Sequence, residues 1–255
     1  MYRRNKNLKL KEFDFDYPYE KNEEYIQKLM ENGYKYLEAT QKDYEEHHKK
    51  SRMNFRLQTR CITAFVERLC KTVDAPDFWK ISINCVQDAK KYTNKVVGGV
   101  LEVYYKFNFD EFTKLTDIEK KKFTLSVLKE NVLKVFSDLN IESDDFKNAC
   151  EQVESCNYRN EWVWRRKKNK KITAEIALVY EIEKVEIFFR MYTGKEKNRE
   201  FVLLETKPNE FYFVQYLGKL KWIDEETVFL EAKRGEEGLV INISTGSVKK
   251  VDCTF

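Results

Sequence analysis

The stretch EWVWRRKKNKKITAEIALVYEIEKVEIFFRMY, residues 161–192, decides the fold class. Its apolar-rich runs, Glu161 to Arg166, Ile172 to Tyr180 and Val185 to Tyr192, are short and dense in β-branched and aromatic residues, the signature of strands. Downstream of Trp162 helical spacing largely vanishes. Phe201 to Thr206, Phe211 to Leu217, Val228 to Ala232 and Leu239 to Ile243 read as further strands, punctuated by turn-capable Gly194, Pro208-Asn209, Gly218, Gly235 and Gly246. Connections this short imply antiparallel neighbours, because a parallel crossover needs about a dozen residues or more.

Upstream of that stretch the period changes. Thr116-Asp-Ile-Glu119 fits a capping box, and Ile118, Leu125, Leu128, Val132, Val135 and Leu139 then mark the buried face of a long helix. A second helix is expected after Ser143, with Asp144 and Asp145 in its first turn and Phe146, Ala149, Cys150 and Val153 inward, ending near Asn157. Earlier still, LKLKEFDF (Leu8 to Phe15) alternates as an opening strand. Ile26, Leu29, Met30, Gly33 and Leu37 outline a helix running to about Lys50, and Asn54 to Cys70 reads as another. FWKISINCV (78–86) and VVGGVLEVYYKF (96–107) read as two strands of a sheet, with Gly98-Gly99 expected to mark a bulge or a close approach.

The expected class is therefore α+β: N-terminal and central helices packed on a largely antiparallel sheet, with a strand-rich C-terminal third. The composition shift divides a mixed helix and strand region, 1–157, from an antiparallel β-rich region, 158–255. Strands precede the central helices, so the same pattern also fits one interwoven unit whose helices cover a single sheet.

Aromatic residues make up 15% of the 255 residues and charged residues 35%, a profile that folds. With 47 basic and 43 acidic side chains the formal charge is +4, so no global field argues for nucleic acid or an anionic membrane, and such a case needs a local patch. Cys61, Cys70, Cys85, Cys150, Cys156 and Cys253 show no short repeated spacing and are expected as free thiols. The opening MYRRNKNLKLKEFDFDY lacks the apolar stretch of a secretory signal, and no uncharged apolar run approaches a bilayer's thickness. The expectation is a cytoplasmic chain without membrane association.

The sequence offers few groups with a chemistry of their own. His47 and His48 are adjacent in a polar helical stretch and read as solvated; no Cys-x-x-Cys, phosphate-cradling glycine loop or Gly-x-Ser-x-Gly elbow is present. Two strand-borne triplets, Glu205-Thr206-Lys207 and Glu231-Ala232-Lys233, place a carboxylate and an ammonium on one sheet face. The second, with Asp224 upstream, loosely resembles the half-motif of restriction-type nucleases, which implies a Mg²⁺ site of oxygen ligands that activates water. The alternation of Val228, Leu230 and Ala232 fits an ordinary half-buried strand equally well.

The densest charge cluster follows two tryptophans: Trp162, Trp164, Arg165, Arg166, Lys167, Lys168, Lys170 and Lys171. A basic run between strands reads as a solvated hairpin tip, and the same residues suit contact with an acidic protein or, through stacking and phosphate pairing, nucleic acid. The functional expectation is a non-enzymatic protein-binding or inhibitor protein, of the kind represented by bacterial toxin-neutralising immunity proteins and phage-encoded inhibitors. The alternatives are a metal-dependent nuclease using Asp224, Glu231 and Lys233, and a nucleic-acid-binding module. No cofactor is expected outside the nuclease alternative, which requires Mg²⁺.

Overall fold

The alternation of Leu8 to Phe15 yields two strands instead of one, because the chain breaks at Lys11, whose amide donates to the carbonyl of Trp79 at 2.9 Å. The computed structural model describes residues 7–252. Strand β1 (Asn7–Leu10) pairs antiparallel with β3 (Val73–Pro76), whereas β2 (Glu12–Asp16), with Phe13 and Phe15 buried, lies parallel to β4 (Lys80–Val86). β5 (Lys95–Val97) and β6 (Val100–Lys106) complete the order β2-β4-β6-β5, in which β4 and β6 are parallel and β5 turns back antiparallel. Gly98 and Gly99 form the two-residue turn between β5 and β6, with φ of +58° and +81°, instead of a bulge inside a strand. The expected close approach is present: a Cβ on Gly99 would sit 2.7 Å from the Trp79 ring.

The helix expected to reach Lys50 is interrupted at Gly33, whose φ of +92° ends it. α1 (Glu23–Glu31) buries Ile26, but α2 (Tyr36–Asp43) begins with a new orientation that leaves Leu37 79% exposed. A π-turn over Tyr44–His48 joins α2 to α3 (Lys49–Leu69), so the expected helix over Asn54 to Cys70 is present as the greater part of α3, with Cys70 as its C-cap. A short α4 (Phe109–Thr113) precedes α5 (Asp117–Asp138), which opens on the expected capping box: the Thr116 amide donates to Glu119 at 2.8 Å. Leu125, Leu128, Val132 and Val135 are buried as the spacing requires, while Ile118 and Leu139, at the helix ends, stay partly exposed. α6 (Asp144–Ser155) buries all four expected residues. The first unit, 1–158, closes on aromatic contacts such as Phe13 with Phe146 (5.3 Å between centroids) and Phe55 with Phe107 (5.0 Å).

The second unit, 159–255, opens with an antiparallel sheet of β7 (Asn160–Asn169), β8 (Ile172–Tyr180), β9 (Val185–Thr193) and β10 (Glu196–Thr206) in that spatial order. The expected strand over Phe211 to Leu217 is helical. Pro208-Asn209 turns the chain, the Asn209 side chain accepts from the Phe211 amide at 3.0 Å, and α7 (Glu210–Phe213) with a following 3₁₀ turn buries Phe213 against Trp162 and Tyr180. A second antiparallel sheet joins β11 (Leu220–Trp222), β12 (Thr227–Glu231), β13 (Glu237–Asn242) and β14 (Val248–Asp252). β11 and β14 escape the sequence reading because one is three residues long and the other is mostly polar.

The α+β class and the strand-rich last third thus stand. Antiparallel pairing predominates, the parallel pairs being those of β4 with β2 and β6. The strands fall into four sheets, each drawing on one unit, in place of a single sheet shared along the chain. Cys61, Cys70, Cys85, Cys150 and Cys156 carry free thiols; Cys253 lies outside the described residues. No helix among the described residues is long and apolar enough to cross a membrane.

Candidate functional site

Successive strand residues face opposite sides, and β7 uses that alternation until a bulge between Val163 and Arg165 inserts Trp164 as an extra residue. The basic run then continues as strand. Arg165 pairs with Ile176, Arg166 with Glu175, Lys167 with Ala174 and Lys168 with Thr173, so the turn consists of Lys170 and Lys171 alone. This corrects the expected loop: β7 is an edge strand, where long cationic side chains reach water at little cost while the backbone pairs with β8.

Both tryptophans are half-buried and engaged. Trp162 meets the Phe213 ring at 6.3 Å, and the Trp164 indole N–H donates to the Gly218 carbonyl at 3.3 Å. The Arg165 guanidinium lies 4.9 Å from the Trp164 ring centroid. From the facing sheet, the Trp222 indole N–H donates to the Lys167 carbonyl at 3.0 Å, which pins the backbone of the basic strand. Arg166 is spent on Glu175, and Lys170, held at a left-handed φ of +50°, on Glu225. Arg165, Lys167, Lys168 and Lys171 are exposed and have no carboxylate partner among the described residues. The eight residues are therefore brought together, and four of their cations remain available on a rigid strand and turn.

Beside this edge lies a feature that sequence reasoning missed. Arg166, Glu175, Arg190 and Glu200 are direct cross-strand partners, a row of alternating charge spanning all four strands. Glu175 is fully buried and bonds Arg166 and Arg190; Arg190 also pairs with Glu200 and, at 2.6 Å, with Glu161. Burial alone raises the Glu161 and Glu200 carboxyls. Hydrogen bonds outweigh it, from Arg159 and Arg190 to Glu161 and from Lys197 and Arg190 to Glu200, and hold both below the usual carboxylate range. The signal was Glu175 inside the otherwise uncharged β8 and Arg190 beside Phe188 and Phe189 in β9, unreadable until register is known.

The nuclease triad is not assembled. Asp224 lies in the turn between β11 and β12, where its carboxylate accepts from the Glu226 amide at 2.8 Å, a bond that holds it below the ordinary aspartate range. Glu231 sits at the far end of the same hairpin, three residues beyond Val228, or about 10 Å along the strand, and pairs with Lys221 at 3.1 Å. Lys233 lies past the strand end, exposed, its amide donating to Gln215. In the other triplet Glu205 pairs with Lys184 at 2.8 Å and Lys207 lies over the Tyr212 ring. Among the described residues no group of three or more His, Cys, Asp or Glu side chains is placed to hold a metal ion.

Of the two histidines, His47 is exposed as its polar setting suggests, whereas His48 is buried. The π-turn rotates His48 inward, where its Nε2 lies 2.8 Å from the Tyr17 carbonyl, while His47 Nδ1 lies 3.0 Å from buried Asp43. Asp43 also accepts from the Tyr19 hydroxyl and the Asn22 amide, so this cluster fastens the segment before α1 to the end of α2 and the π-turn.

Compared with protein-family models, curated proteins and solved structures, the chain matches none.

Proposed function

We propose that the chain is a non-enzymatic binding protein that occludes another protein, in the manner of toxin-neutralising immunity proteins and phage-encoded inhibitors, and that the β7–β8 edge is its contact surface. The observation that carries this reading is the set of exposed, carboxylate-free cations Arg165, Lys167, Lys168 and Lys171 on a strand pinned by Trp222. Unpaired cations on a pinned backbone suit an acidic protein surface, since no internal ion pair has to break on docking and the field they present steers an acidic partner. The tryptophans favour protein over nucleic acid: their rings are half-buried and engaged by Phe213, Gly218 and Arg165, which leaves less open ring for base stacking.

Proteins of this kind are commonly encoded beside their targets, which makes products of adjacent genes the natural partners to co-express. One of them is expected to co-purify stoichiometrically with the wild-type chain and to be lost from K167E/K168E/K171E. Co-purification of nucleic acid in its place, or retention of the protein by the charge-reversed variant, overturns the reading.

A further inference from the structure

The chain leaves the carboxyl end of β6 and enters α4, and between this segment and the first turns of α5 lies a groove of about 480 Å³. That volume falls in the range of small-molecule sites, and β6 is parallel to β4, so the groove sits where open α/β sheets hold ligands, at a strand's carboxyl end. Its floor is apolar. Phe107, Phe112 and Phe123 touch one another, with ring centroids 5.7, 5.8 and 5.5 Å apart; the first two are buried and Phe123 is partly exposed. The polar groups that line it are few and unspent. Lys106 and Glu111, both exposed, pair neither with each other nor with any other charged group among the described residues. Asn108 gives its side-chain oxygen to the amides of Asp110 and Glu111, at 3.1 and 3.3 Å, which leaves its own two amide N–H donors for another acceptor.

We propose that this groove binds a free α-amino acid with a large apolar side chain. The side chain lies on the three phenylalanine rings, the ammonium faces Glu111, and the carboxylate takes Lys106 and the Asn108 amide. The charges select this class over its neighbours. A ligand that is only a carboxylate meets Glu111 unanswered. One that is only an ammonium meets Lys106, and the Phe112 ring already has a cation over it: Lys120, 8% exposed, holds its Nζ 5.8 Å from the ring centroid. A zwitterion with an apolar body answers both charges and fills the floor. The site draws only on residues of the first unit, so it adds a small-molecule ligand to a chain whose β7–β8 edge lies in the second.

Isothermal titration of the full chain with L-phenylalanine, 3-phenylpropionate, phenethylamine and glycine tests the inference, with circular dichroism confirming that each variant folds. L-Phenylalanine is expected to bind with a dissociation constant below about 1 mM, and each analogue, lacking the ammonium, the carboxylate or the side chain, at least tenfold more weakly. E111Q is expected to erase the preference for phenylalanine over 3-phenylpropionate, and K106Q the preference over phenethylamine. A dissociation constant for L-phenylalanine above about 1 mM, an analogue that comes within tenfold of it, or a variant that retains its preference overturns the proposal.

Discussion

Replacing Arg190 with Met removes the one cation that Glu161, Glu175 and Glu200 share while keeping a side chain of comparable reach. Arg190 is only 10% exposed and Glu175 1%, so the loss leaves a carboxylate out of water with Arg166 as its remaining cation and the Tyr192 hydroxyl, 3.4 Å away, as its other donor. Breaking such a pair typically costs 3–5 kcal/mol; the partial exposure of Glu161 and Glu200, 27% and 31%, lets water relieve part of this and sets the expectation at about 3 kcal/mol. Urea unfolding followed by tryptophan fluorescence reads the correct unit, because Trp162, Trp164 and Trp222, three of the four tryptophans, lie in it. With a slope of about 1.5 kcal/mol per molar the midpoint falls by about 2 M. The pH dependence supplies a second check. Glu161 and Glu200 titrate below their usual range in the folded chain, so their contribution is complete above the unfolded value, roughly 4.3, and disappears as pH falls through the folded values. The gap between wild type and R190M should therefore narrow on acidification below about pH 4. A variant within 0.5 kcal/mol of wild type at pH 7, or a gap that widens in acid, would refute the reasoning.

Three further expectations concern single positions. Lys170 occupies a left-handed conformation that glycine adopts freely, so Lys170→Gly should raise stability by about 0.5–1 kcal/mol in chemical denaturation, and a loss of more than 1 kcal/mol would show that the Glu225 pair outweighs the strain. At Gly218 a Cβ would lie 2.2 Å from the Glu231 carbonyl oxygen, a backbone atom with no room to retreat; Gly218→Ala should cost about 2–3 kcal/mol, and an unchanged melting temperature would contradict the packing. Burial pushes the Cys70 thiol up to about 11 and Cys150 up to about 12, whereas Cys156 is exposed. Peptide mass spectrometry after brief thiol labelling at pH 8 should find Cys156 modified before Cys70 and Cys70 before Cys150, and equal rates for the three would contradict the burial assigned to α6.

The sequence made the periodic elements legible and the register invisible. Ile172–Tyr180 was readable to the residue because a run of β-branched and apolar side chains, interrupted only by Glu175, is bounded by Lys171 and Glu181, and α6 because four apolar residues repeat at helical spacing. Phe211 to Leu217 misled for the same reason: its aromatic density suggests a strand, but Asn209 caps a helical turn that places Phe213 between Trp162 and Tyr180, a tertiary preference no local pattern carries. Gly33 sat on an apolar helical face and was in fact the break in it. At the candidate site, the clustering of Trp162 to Lys171 was visible, while its division into paired Arg166 and Lys170 and unpaired Arg165, Lys167, Lys168 and Lys171 depends on Glu175 and on Glu225, the latter 55 residues away. The charge row emerges only when four strands are aligned.

The most direct test of the central claim is the affinity of the full chain for its co-purifying protein partner, measured by isothermal titration at 50, 150 and 500 mM salt with wild type and K167E/K168E/K171E. An acidic surface docked on the β7–β8 edge predicts binding that weakens as salt rises and a charge-reversed variant at least tenfold weaker at 50 mM, the difference shrinking toward 500 mM. Equal affinity of the two proteins at all three salt concentrations would contradict it.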